Sequence, residues 1–125
     1  MFNLILVATG GALGAILRYL LTNISKSIFT SSIYGTISVN MLGSFLIGYF
    51  ITSDFGTNLS ENFIKFFLII GVLGSFTTFS AFSYEVVDLI NSKKYIISFA
   101  YIFISIFLCI LSAYLGTLLN KFWFD

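Results

Sequence analysis

The sequence predicts an all-α integral membrane protein with four transmembrane helices, the third of them broken. Three observations lead there. Of the 125 residues, 58% are hydrophobic and 9% charged, and the mean hydropathy is +1.04. A soluble domain averages about 25% charged residues, so this chain lacks the polar surface to face water. Four stretches, at about 3–22, 33–53, 62–88 and 95–120, each supply the roughly 20 mostly apolar residues that a spanning helix needs. Short polar connections separate them: NISKSIFTSS, SDFGTNLSEN and NSKK. Consecutive spans therefore alternate in direction, both termini fall on one side, and residues 1–125 form a single four-span domain.

The first span, within MFNLILVATGGALGAILRYLL, has no basic residue ahead of its apolar run. It reads as a membrane helix rather than a cleaved signal peptide. Its closely spaced Ala8, Gly10, Gly11, Ala12, Gly14 and Ala15 suit tight helix packing. In the second span, Gly43 and Gly48 read as packing positions around Asn40. The third span is too long: residues 62–88 as one straight helix would measure about 40 Å, against a hydrocarbon core of roughly 30 Å. The chain has no proline, so a break must come from glycine or from side chains that compete with the backbone. Gly71, Gly74 and the TTFS cluster mark the place. Irregular backbone at membrane depth is tolerated only where protein buries it or a cavity receives it, which makes the break a functional expectation. The fourth span carries its polar groups in a row.

Charge gives little orientation. Lys26, Lys93 and Lys94 lie on one side, and Lys65 and Lys121 on the other. That bias is weak under the positive-inside rule. It suits a chain that inserts both ways, and equally one whose orientation these few charges decide. There is no histidine, and Cys109 is the single cysteine. The usual general base, the commonest metal ligand and any internal disulfide are therefore missing, and the chain is not expected to be an enzyme. A net charge of +1 gives no reason to expect nucleic acid as a partner.

Polar groups inside a span usually face the bundle interior or a water-filled pathway. Arg18, near the end of the first span, reads either as a snorkelling arginine or as a fixed positive charge that attracts an anion. Asn40 offers two N–H donors and an acceptor, as glue between helices or as a ligand contact. Phe76, Phe79 and Phe82 recur every three residues, roughly along one helical face. Such a stripe is either core or a set of positive ring edges turned toward an anion. Thr77, Thr78 and Ser80 bond back to the preceding turn or donate into a pathway, and an unwound turn there would free carbonyls, natural ligands for Na⁺. Tyr101, Ser105 and Cys109 follow at intervals of four on the last span, with Ser112 close by. They form a polar track or a hydroxyl seam between helices.

Together, GGALGAILRY, GTISVNMLGSFLIG and GVLGSFTTFSAFSYE occur in an order and spacing that resemble the CrcB/Fluc family of fluoride channels. The resemblance covers essentially the whole chain and is most specific where TTFS joins the Asn of VNMLGSF. It implies a passive, fluoride-selective channel that lets cytoplasmic fluoride leak out of microbes and so gives fluoride resistance. It further implies a plasma-membrane protein, an antiparallel dual-topology homodimer in the lipid bilayer, and two fluoride pathways. By motif position, Asn40, Phe79 and Phe82 would contact fluoride. Ser80, Tyr101 and Ser105 would line its path, and Arg18 would sit near the vestibule. Gly74 and Thr77 would offer backbone carbonyls to a central Na⁺ at the dimer interface. Glu85 matches an acidic position but receives no role.

Three positions depart from the family pattern: Ala81 replaces a Thr, Ser75 a smaller residue, and Cys109 a Ser. Two other readings compete. A small multidrug-type proton-coupled transporter would also be a four-span dimer, but residues 3–22 hold no carboxylate and only Glu85 would serve. A non-transporting assembly subunit would use Asn40 and the hydroxyls purely as glue.

Overall fold

The computed structural model describes residues 1–53 and 59–124, and all of its regular structure is helical. Helix α1 spans Phe2–Phe29, α2 Ile33–Ile51 and α3 Leu59–Asn62. A wider π-helical segment, Phe63–Leu73, runs on into the short α4, Gly74–Phe76. Helices α5, Phe79–Asn91, and α6, Tyr95–Phe124, complete the chain. Among these, Phe2–Phe29, Ile33–Ile51, Phe63–Asn91 and Tyr95–Trp123 are long and apolar enough to cross a membrane.

Helix α1 runs past residue 22 to Phe29, through a segment that reads as loop in the sequence. Asn23, Ser25, Lys26 and Ser27 lower its hydropathy but include no glycine or proline to stop a helix. Ser25 is buried, and Gly35 at the start of α2 lies close against it. The helix stops at Thr30, which takes a left-handed conformation (φ 57°) while its N–H still reaches the Lys26 carbonyl at 3.0 Å. The reversal into α2 is correspondingly tight.

Glycines set two close seams. Along the first, α1 packs chiefly on Phe63–Leu73. A Cβ at Gly10 would strike the Phe67 carbonyl, and one at Gly14 the Val72 carbonyl. Along the second, α2 packs chiefly on α6, where Gly48 lies against the Ala113 carbonyl and Gly116 against that of Phe45. Small residues allow this approach, and dispersion holds it where lipid supplies no hydrophobic driving force.

The core joins Phe82, Leu89 and Tyr101, with Ile33, Ile37, Val86 and Ile102 packed around them. The polar row of α6 faces inward: Ser98, Tyr101, Ser105, Ser112 and Asn120 are all buried. Asn120 donates to Ser53 at the end of α2. The outward positions are apolar, among them Ile96, Phe103, Phe107, Ile110 and Phe122, as a hydrocarbon surround requires.

Candidate functional site: a backbone break beside an uncharged groove

The third span breaks at Thr77–Thr78. Thr77 has ψ 153°, and Thr78, with φ −148° and ψ 118°, is extended. Side chains cause this more than glycine does, since Gly71 and Gly74 both lie within the helical run. The Thr78 hydroxyl caps α5 by accepting the Ala81 N–H at 3.1 Å, and it lies 3.1 Å from the Ser80 hydroxyl. An oxygen of this kind at a helix start satisfies a donor that the helix itself leaves open. From α2, Asn40 pairs with the Thr78 backbone at both ends of its amide. Its Oδ1 accepts the Thr78 N–H at 2.7 Å, and its Nδ2 donates to the Thr78 carbonyl at 2.9 Å.

These bonds redirect the helix's own donors. In a continuous α-helix the Gly74 carbonyl accepts from the Thr78 N–H, and the Thr77 carbonyl from the Ala81 N–H. Here the first donor goes to Asn40 and the second to the Thr78 hydroxyl. Both carbonyls thereby lose their usual α-helical partner. They are neutral oxygens, the donor type a hard monovalent cation takes from unwound membrane helices. Among the described residues, no cluster of acidic, histidine or cysteine side chains could hold a metal.

The break also disposes of the phenylalanine stripe. Phe76 precedes it and is buried, while Phe79 and Phe82 follow it on α5. The spacing of three places rings on one face only in an unbroken helix. Phe79 and Phe82 remain neighbours, with centroids 5.4 Å apart and planes inclined at 45°. Phe79 is 78% exposed and Phe82 only 8%, its ring in turn edge-on to Tyr101 at 5.1 Å and 61°.

A groove of about 270 Å³ opens beside these rings. Asn40, Ser44, Thr77, Thr78, Phe79, Phe82, Ser105 and Cys109 line it, with Ile47 and Ile106. No lining side chain carries a formal charge. The buried Ser105 hydroxyl has no hydrogen-bond partner among the described residues, so its donor remains available there. Amide and hydroxyl donors, a thiol and ring edges can stabilise a small anion without binding it as tightly as a lysine would.

A second cleft, of about 320 Å³, lies on the other side of the break. Arg18, Lys26, Thr36, Ala81, Tyr84 and Glu85 are among its lining residues, and Thr78 borders both spaces. At its floor, Glu85 is buried and accepts two hydroxyls, Thr36 at 2.9 Å and Tyr101 at 2.6 Å. This triad joins α2, α5 and α6.

The comparisons with known proteins agree with one another. Residues 5–117 match the family model described as CrcB-like protein, Camphor Resistance (CrcB). The chain belongs to the CrcB family. Its CrcB relatives include a protein of Dehalococcoides mccartyi named fluoride-specific ion channel FluC, 40% identical over 97% of each chain. Proteins of the same name from Flavobacterium psychrophilum and Campylobacter jejuni are 41% and 43% identical. The first match covers 92% of this chain and 94% of the relative, the second 95% and 98%. CrcB membership and the four apolar spans make this a multi-pass bacterial membrane protein.

Within this CrcB chain, the fold brings Asn40, Phe79, Phe82, Ser105 and Thr77 to one groove. It does not bring the other expected residues there. Ser80 is exposed beside Thr78, Tyr101 lies beneath Phe82 with its hydroxyl committed to Glu85, and Arg18 lines the opposite cleft. Gly74 is exposed on the outer surface of the broken span. Sequence reasoning passed over Thr36, Ser44 and the engagement of Glu85. A signal existed: Thr36, Asn40 and Ser44 recur at intervals of four, the spacing that stacks side chains on one helical face.

Proposed function

We propose that the chain is a fluoride-selective channel that exports cytoplasmic fluoride passively down its gradient, and so protects the cell from it. The observation that carries this reading is the groove itself. It offers neutral donors and ring edges, Asn40, Ser44, Ser105, Phe79 and Phe82, in a chain whose relatives are named for fluoride channels. Fluoride is small, strongly hydrated and a good hydrogen-bond acceptor. A pore must replace its hydration with donors yet release it, because conduction fails when binding is too tight. Neutral donors meet both demands.

In this reading the working unit is an antiparallel dual-topology homodimer, and the second copy closes the groove that one chain leaves open. The Gly74 and Thr77 carbonyls hold Na⁺ at the interface between the copies. The bound cation would offset the cost of an anion in a low-dielectric surround. Arg18, in the cleft across the break, raises the local concentration of anions, while Tyr101 supports the path from beneath Phe82 and Ser80 supports it through the Thr78 hydroxyl.

The ring-edge role is tested with Phe79→Ile and Phe82→Ile in reconstituted vesicles. Each is expected to slow fluoride efflux by about tenfold or more, the loss of about 1.4 kcal/mol of barrier stabilisation, while the dimer persists on a sizing column. Unchanged efflux in both variants contradicts it.

A further inference from the structure

We propose that Asn40 is the positioning residue of the break, holding Thr78 extended by a two-point amide bracket and being held in one orientation by it. The geometry carries this directly. The non-helical turn covers Thr77 and Thr78, and Asn40 meets it at Thr78, whose N–H and carbonyl are both satisfied by that one side chain, at 2.7 and 2.9 Å. A buried backbone N–H without a partner costs about 1–3 kcal/mol. Without Asn40, Thr78 has no fixed partner: its N–H is either left open to exchange or drawn back to the Gly74 carbonyl, and the break no longer holds one geometry. The side chain thus decides whether that carbonyl stays released.

The bracket acts on Asn40 as well. Its carbonyl oxygen and one N–H are taken by Thr78, so the amide cannot flip. The other N–H points away from the Thr78 backbone, on a residue that lines the groove. Asn40 therefore presents a donor to the groove and keeps its oxygen, which would repel an anion, turned aside. One residue couples the released carbonyls to the polarity of the groove. The coupling to a cation rests on the reading above; the bracket itself does not.

Two measurements test it. Amide-resolved hydrogen exchange on the unmodified protein should find the Thr78 N–H protected like the interior amides of α2, despite its extended conformation. Exchange at the rate of an open loop overturns the bracket. Asn40→Ala should speed Thr78 exchange by about tenfold or more. Asn40→Asp keeps the accepting oxygen and should leave that amide close to its original protection. Equal effects of Ala and Asp, or none from either, overturn it too. Titrating Na⁺ against the thermal midpoint of the purified protein gives a further readout. Asn40→Ala should move the half-saturating Na⁺ concentration upward by about fivefold or more, and Ser44→Ala, which borders the groove without touching Thr78, should not. An unchanged midpoint in Asn40→Ala overturns the coupling. If the Na⁺ curve is flat in the unmodified protein, the cation reading fails, and the exchange result still decides the bracket.

Discussion

Two hydroxyls of α6, one helical turn apart, occupy opposite situations. Tyr101 donates a hydrogen bond to Glu85 at 2.6 Å within a buried triad, while Ser105 faces the groove with no protein partner among the described residues. Their substitutions should therefore behave differently. Tyr101→Phe leaves the buried Glu85 short of a donor and is expected to cost about 2 kcal/mol of stability. Ser105→Ala removes a hydroxyl that none of the described residues satisfies and should shift stability by no more than about 0.5 kcal/mol, while slowing fluoride efflux. Thermal unfolding in detergent, read beside vesicle efflux, separates the two. Comparable destabilisation by both would contradict the assignment of partners. The α6 row was visible in the sequence from its spacing of four. Its division was not, because it depends on where Glu85 falls after the chain turns back at the NSKK connection.

At the scale of elements, close approach governs. A Cβ on Gly48 would overlap the Ala113 carbonyl, which as backbone cannot swing aside. Gly48→Ala is accordingly expected to destabilise the α2–α6 seam by about 1–3 kcal/mol, measured as a lower thermal midpoint; a midpoint equal to wild type would contradict this packing. The four helices were legible from hydropathy, and Gly10, Gly14 and Gly48 as packing positions from their setting; Gly116 and the pairing of α2 with α6 were not. The break was legible as an event, from excess length, and in place, from the TTFS hydroxyls that Thr77 and Thr78 open, but its cause was not. The break falls at Thr77–Thr78 instead of at a glycine because that cause, Asn40, sits on another helix 38 residues away. The same break divides Phe76 from Phe79 and Phe82, so a period of three ceased to mean one face. The extension of α1 to Phe29 escaped for a related reason: polar residues lowered the hydropathy without lowering helix propensity enough to end the helix.

At the scale of the whole molecule, one chain leaves much of its proposed machinery open. Phe79 is 78% exposed, Gly74 lies at the surface, and the groove has a free side. In the proposed dimer these features meet a second copy, with Na⁺ between the released carbonyls. Replacing Na⁺ by a large organic cation is therefore expected to lower the thermal midpoint and loosen the dimer on a sizing column. Indifference to the cation would remove the proposed Na⁺ site and leave the groove untouched. The central claim, selective and passive conduction, is tested most directly by ion-selective electrodes. They would record fluoride and chloride efflux from vesicles containing the purified protein, with no proton gradient imposed. Rapid fluoride efflux with chloride retained is the predicted result; no fluoride efflux, or chloride leaving as fast, would contradict it.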